Sequence, residues 1–421
     1  MTRELLQQVR LLDPVANQDH IVDILIIDGY IQNIAPQIKD CDSSTIIHNC
    51  DNLIIGPGLI DLYSNCGEPG FEERETLTSF FQAAVLGGFT RVNVLPNTSP
   101  VIDHPALVNQ LQQKTLQQTL FPHLGIWGAM TLDLAGKQLT EFTDLVNAGV
   151  IGFSDNKPWE NLNIVRRVLE YLQPLNKPVA FCPCDRSLVS NGIMREGTES
   201  LRIGLPSISV SAETTALAAL LEIVGEIGTP VHIMRVSTAR SVELIATAKA
   251  QGLPITASTT WMHLLLDTTS IRSYHTSLHL QPPLGNYEDM IGLRDGVKNG
   301  IIDAIAIDHK AYTYEEKMQA FAEAPPGAIG LQIALPLLWN NLVTTGEWTA
   351  LQLWRSLSSQ AAVCLGQSIN PIVPGEKAEL TLFNPEKPWI ANRENLASLC
   401  HNTPWFNQEI IGSVIRVIID N

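Results

Sequence analysis

Apolar and polar positions along the chain follow three regimes. Near the N-terminus, apolar residues come in short runs broken by turns. Ile21-Val22-Asp23-Ile24-Leu25-Ile26-Ile27 leads into Asp28-Gly29, and Tyr30-Ile31-Gln32-Asn33-Ile34 follows. Asp-Gly between two apolar runs predicts a β-hairpin. The far end is similar: the turn at 374–379 precedes Leu380-Thr381-Leu382-Phe383, and 413–419 forms a last strand-like run. Between these ends, short apolar runs alternate with helical periodicity. The runs lie at 59–62, 91–95, 124–130, 152–154, 179–182, 231–236, 255–258 and 302–307. Continuous apolar runs of this length are what strands buried on both faces require. The stretch 76–87 is helical, apolar at Leu77, Phe80, Phe81, Ala84 and Val85, and 212–227 is helical with Ser211 as its expected N-cap.

Eight strand-helix units imply a closed (β/α)₈ TIM barrel with functional groups at the C-terminal strand ends. The β-rich ends imply one small discontinuous domain. The expected organisation is a composite β-rich domain from 1–56 and 366–421, and a barrel domain over 57–365. Gln-rich 110–118 is helix-compatible and solvent-facing, Glu72-Glu73-Arg74-Glu75 reads as a solvated helix start, and Trp339, Trp348 and Trp354 read as packing residues.

Composition narrows the function classes. With 421 residues the chain has room for a barrel of roughly 250 residues and a second domain. A net charge of −16 argues against non-specific nucleic-acid binding and against docking on an anionic membrane. No run approaches the ~20 apolar residues needed to cross a bilayer. Residues 1–20 carry Arg3, Glu4, Arg10 and Asp13 without an apolar core, so no secretory signal is expected. Seven cysteines at irregular spacings (41, 50, 66, 182, 184, 364 and 400) fit reduced thiols in a cytoplasm. Cys182-Pro183-Cys184 lacks the spacing of a zinc or redox motif. No nucleophile elbow, Walker A loop or dinucleotide-binding glycine pattern is present.

The chemistry is carried by a series of motifs in order. Leu59-Ile60-Asp61-Leu62 is followed by Tyr63-Ser64-Asn65 and then Glu68-Pro69-Gly70. Gly87-Gly88-Phe89-Thr90 leads to Leu95-Pro96-Asn97-Thr98-Ser99-Pro100-Val101-Ile102-Asp103. Arg235-Val236-Ser237-Thr238, Gln281-Pro282-Pro283-Leu284, Ile307-Asp308-His309-Lys310-Ala311-Tyr312 and Asn402-Thr403-Pro404 come after. Taken together, this set resembles the dihydroorotase family of the amidohydrolase superfamily over nearly the whole chain.

The resemblance implies a fold, an activity and a ligand set. The reaction is the reversible closure of N-carbamoyl-aspartate to dihydroorotate. Zinc polarises the carbonyl and lowers the pKa of bound water to about 7. The ligands are His-x-His on strand 1, an Asp after strand 4, a His on each of strands 5 and 6, and an Asp on strand 8 that is also the general base. Carried across, these fall on Tyr63 and Asn65, Asp155, Cys182, Arg235 and Asp308. Every imidazole ligand is replaced, which leaves Asp308 as a vestigial general base. A residual site from Asp155, Cys182 and Asp308 is the remaining route to zinc. Arg235 in place of the metal, paired with Asp155 or Asp308, is the alternative.

Substrate anchors are altered as well. The arginine of the family's L-R-E-P-G is Gly67, the Asn of N-P-P-L is Gln281, and the second His of D-H-A-P-H is Tyr312. Asn97 is kept, although a turn residue would also suit that position. His309 and His263 are candidate pocket residues. His232 reads as a packed or hydrogen-bonded histidine under the helices, facing away from Arg235. The leading expectation is a dihydroorotase-like protein of pyrimidine biosynthesis that has lost catalysis. It needs no cofactor and serves as a structural or regulatory partner of aspartate transcarbamoylase, in a homo- or hetero-oligomer. The alternatives are an active dihydroorotase or other cyclic-amide hydrolase with a rearranged zinc site, and a small-molecule sensor that keeps the vacated pocket.

Overall fold

The computed structural model describes residues 2–39, 42–118 and 122–419; Cys41 lies outside them. Eight parallel strands follow one another in chain order. They are Leu59–Ser64, Phe89–Val94, His123–Gly128, Gly152–Phe153, Val179–Phe181, Val231–Ile233, Ile255–Thr260 and Ala304–Ala306. Each falls on one of the apolar runs. The sheet closes through Asp308 N donating to Tyr63 O (3.2 Å) and Asn65 N donating to His309 O (2.8 Å). Several strands end earlier than the apolar runs suggest, because residues 129–130, 234–236 and 307 have left the ladder to build the mouth.

Alternation along each strand sorts the core into two layers. Ile60, Leu62, Ala180, Met234, Ala304 and Ala306 fill the barrel interior with Trp127, whose Nε1 donates to Leu62 O at 3.0 Å. Val92, Phe153, Val179, Ile233 and Ile305 face outward and pack under helix residues such as Leu217, Leu220 and Leu293.

The second sheet has seven strands drawn from both ends of the chain. The C-terminal hairpin of Leu380–Ile390 and Glu409–Ile418 joins the N-terminal strands through Ile54–Pro57. The Asp28-Gly29 hairpin forms, with φ of 48° and 77° at its two central residues, as the primed turn demands. The junction with the barrel is pinned by Trp354, whose Nε1 donates to Pro57 O at 2.9 Å. Trp354 and Trp339 also pack around Phe383, and Trp348 is buried too. Arg91 on the second barrel strand grips Glu379 at 2.6 and 2.8 Å.

The helix Leu77–Leu86 is capped by Thr76, whose side chain accepts from Ser79 N. Ser211 is not a cap: the helix Ser211–Ile227 begins with it. The turn starts earlier, at Ser209 and Val210, whose carbonyls accept from Ala212 N and Glu213 N. Ser211 Oγ bonds Ser209 Oγ at 2.9 Å instead. Among the described residues no helix is long and apolar enough to cross a membrane.

Candidate functional site at the barrel mouth

A cavity of about 230 Å³ opens at the C-terminal ends of the strands, lined in part by Cys182, Arg195, Glu213, Arg235, Gln281 and Asp308. Its floor is a polar chain across the barrel. His232 Nδ1 bonds Thr256 Oγ1 and His232 Nε2 bonds Ser258 Oγ, each at 2.9 Å. Ser258 Oγ bonds Tyr63 OH at 2.9 Å, and Tyr63 OH accepts from Arg235 N at 3.0 Å. Burial pushes His232 down to about 3, so it is a neutral imidazole. Burial likewise holds the Tyr63 phenol well above its ordinary value. His232 therefore sits inside the barrel rather than under the helices, on the same side as Met234.

Arg235 follows in a left-handed conformation, φ 54°. That turn breaks the strand alternation and directs the guanidinium to the mouth. There Nε and Nη2 grip Asp308 Oδ2 and Oδ1 at 2.7 and 2.5 Å. Of the two carboxylates considered, Arg235 thus takes Asp308. Asp308 is itself left-handed, φ 50°. Burial alone would depress the guanidinium, but the Asp308 carboxylate more than offsets this and holds it above its ordinary value.

The candidate ligands do not converge. Asp155 accepts from Met130 N (2.7 Å), Thr131 N (3.0 Å) and Thr131 Oγ1 (2.6 Å), and lines a separate cavity with Trp159 and Arg186. The expected residual site of Asp155, Cys182 and Asp308 is therefore not assembled: three hydrogen bonds hold Asp155 elsewhere. The Cys182 thiol lines the mouth, but burial raises its pKa against forming a thiolate. Asn65 accepts from Asn97 Nδ2 at 2.7 Å, and Asn156 Nδ2 donates to Asn97 Oδ1 at 3.1 Å. Among the described residues no three His, Cys, Asp or Glu side chains form a group that could hold a metal ion. This donor set does not fit zinc, since of the carboxylates lining the mouth Asp308 is held by the fixed cation Arg235 and Glu213 is held by Ser237 and Thr238.

The expected substrate contacts divide. Gln281 lines the cavity at its exposed rim. Asn97 is half-buried and spends its amide on Asn65 and Asn156. His309 does not face the cavity. Its Nε2 bonds Glu75 at 3.1 Å and its Nδ1 accepts from Gly330 N at 3.2 Å, so both ring nitrogens are used away from the mouth. Glu75 is not a solvated charge. It is fully buried and also accepts from Ser79 and Ser398. Arg74 pairs with Glu316 at 2.6 Å, so only Glu72 and Glu73 of that run are exposed. At Gly67, a Cβ would collide with Phe71 O and stand 2.5 Å from Glu75 O. The backbone therefore leaves no room for a side chain where the resemblance puts an arginine. His263 reaches the wall, bonded to Thr260 Oγ1 at 2.7 Å and Pro283 O at 3.2 Å, and burial lowers it to about 4.

Two cations were not singled out from the sequence. Arg195 is 1% exposed, lines the cavity, and donates to Ser237 Oγ at 2.8 Å; it stands 3.8 Å from Glu213. Its only sequence signal is a charge directly after the apolar Ile193-Met194. Lys310 also lines the cavity and lies 5.3 Å from the centre of the Tyr312 ring. Its loop is pinned by Asn402, whose side chain bonds Lys310 O and Tyr312 N at 2.9 and 3.1 Å.

A probable dihydroorotase-like protein of Synechocystis sp. is 41% identical to this chain, and the match spans 97% of this chain and 98% of that protein. The chain belongs to the dihydroorotase-like family. A family profile described as Dihydro-orotase-like matches residues 52–241. The dihydroorotase of Pelobacter propionicus is 34% identical across 99% of this chain and 97% of its own length. Among solved structures, the L-hydantoinase (dihydropyrimidinase) from Arthrobacter aurescens superposes with a TM-score of 0.84 at 20% identity, covering 99% of this chain and 94% of that one. That likeness speaks for the fold, a parallel barrel with its companion sheet. Within this dihydroorotase-like frame, the mouth carries an ion pair where the family resemblance calls for metal ligands.

Proposed function

We propose that this dihydroorotase-like protein has lost zinc-dependent ring opening and serves pyrimidine biosynthesis as a structural or regulatory partner of aspartate transcarbamoylase. The carrying observation is the Arg235–Asp308 pair. The residue aligned with the general base is neutralised by a side chain that stands at a ligand position. A guanidinium cannot act as a Lewis acid toward a carbonyl, nor generate hydroxide from bound water. Gly67 adds to this reading, because the backbone around it leaves no space for the carboxylate-gripping arginine. The barrel and its sheet each keep a buried apolar core, as a protein kept for its surface requires. The partnership itself rests on the family resemblance.

Mixing the purified protein with aspartate transcarbamoylase and measuring mass by light scattering tests the partnership. A stable complex that persists in D308A supports the reading. Two separately eluting proteins at micromolar concentration would remove it.

A further inference from the structure

A second cavity, of about 280 Å³, shares only Pro158 with the lining of the mouth. Its buried wall comes from Met130, Val165, Val168 and Phe181, and its rim from the exposed Lys157, Glu160 and Arg186. Trp159, half-buried, also lines it, with its ring edge-to-face against Phe181 at 5.5 Å between centres. Asp155 stands in the same wall and is 8% exposed.

The charges of this cavity do not balance on its buried side. Glu160 and Arg186 pair with each other at the rim. Asp155 has no lysine or arginine within ion-pair distance among the described residues. Its three hydrogen bonds come from neutral donors: two backbone amides on Oδ1 and the Thr131 hydroxyl on Oδ2. Oδ2 therefore keeps room for a second donor. Lys157 lowers the carboxyl from a distance, but burial raises it more.

A buried carboxylate without a counter-charge is costly, and an ammonium beside it offsets that cost through a charge-assisted hydrogen bond. An indole is also the ring that attracts a cation best. An anion, by contrast, would meet Asp155 inside and Glu160 at the rim. At about 280 Å³ the space is well beyond the ~10–15 Å³ that admits one water. A carboxylate set in an aliphatic and aromatic wall suits an ammonium carried on a hydrocarbon body.

We infer that this cavity is a binding site for a small organic amine, its ammonium on Asp155 and its hydrocarbon body against Trp159 and Phe181. The inference goes beyond the proposed partnership and rests on one part of that reading, that Asp155 serves no metal at the mouth. No covalent bond forms, so binding is reversible and read at equilibrium.

Thermal unfolding of the full-length protein at neutral pH with excess EDTA tests the site, and the chelator keeps a failure here distinct from an error about zinc. Benzylammonium chloride is the probe, compared with benzyl alcohol and with sodium chloride at equal ionic strength. A saturable rise in Tm with benzylammonium, beyond both controls, is expected. D155N, which keeps an acceptor for the two amides, should abolish the rise. W159A, altered on the half-exposed wall, should need roughly tenfold more probe. K310M, altered at the mouth, should respond as the unaltered protein does. No rise beyond that with sodium chloride, an equal rise with benzyl alcohol, an undiminished response in a folded D155N or in W159A, or a response lost in a folded K310M would each overturn the assignment.

Discussion

The Arg235 guanidinium lies fork-to-fork on the Asp308 carboxylate, at 2.7 and 2.5 Å, and both residues are left-handed at the ends of their strands. For non-glycine residues that conformation costs roughly 1–2 kcal/mol each. The strain is held because it brings the two side chains together. Without the turn at 235, strand alternation would send the arginine into the packed layer beneath the helices, where its charge would have no partner.

Removing one partner of this pair strands the other. Arg235→Met should destabilise the protein by about 3 kcal/mol in chemical denaturation, near the low end for a buried pair because the Asp308 side chain is 20% exposed. The double variant R235M/D308L should recover most of that loss, since replacing both charges removes the desolvation cost. Additive losses would show that the two side chains do not act as a pair.

Acid stability should depend on His232. Burial lowers its folded pKa to about 3, against about 6.5 for an unfolded histidine. Between these values the unfolded chain binds a proton that the folded one does not, so stability falls as pH drops from about 6.5 toward 3. The slope for one proton is about 1.4 kcal/mol per pH unit. His232→Gln should make the stability curve shallower by that amount between pH 6 and 4, measured by urea denaturation. Parallel curves for the two proteins would contradict this.

Asp61 has the opposite sign. It is fully buried, with Oδ1 accepting from Ile307 N at 3.0 Å and Oδ2 without a partner. Burial is the main cause that pushes its carboxyl up to about 7. The folded protein then holds a proton that the unfolded chain releases near 4, and stability is lost as pH rises from about 4 through 7. Asp61→Asn should stabilise the protein at pH 8 and have little effect at pH 4. Equal effects at both pH values would show that the carboxyl is not protonated in the fold.

Much of the architecture was legible in the sequence because buried parallel strands cannot hide: Val231 and Ile233, like Ile305 and Ile307, read as apolar whatever their neighbours do. The Asp28-Gly29 turn was equally plain, since few other pairs accept two positive φ values. Directions and long-range partners were not. A one-residue left-handed turn at Arg235 breaks the alternation by which His232 is read as lying under the helices. Glu75 looked solvated within a charge run, yet His309 and Ser398, which bury it, lie far along the chain. Arg195 was passed over because nothing local marks a lone arginine whose partners are Ser237 and Glu213. Gly67 shows a limit of a different kind: sequence reveals a missing side chain, and only packing reveals that none would fit.

The central claim is that Arg235, not a metal, supplies the positive charge at this barrel's mouth. The most direct measurement is zinc content by mass spectrometry after incubation with excess zinc and desalting, read beside dihydroorotate hydrolysis by the same sample. Far less than one zinc per chain and no turnover is the predicted result. One or more tightly held zinc ions per chain, accompanied by hydrolysis that is lost in D308A, would contradict it.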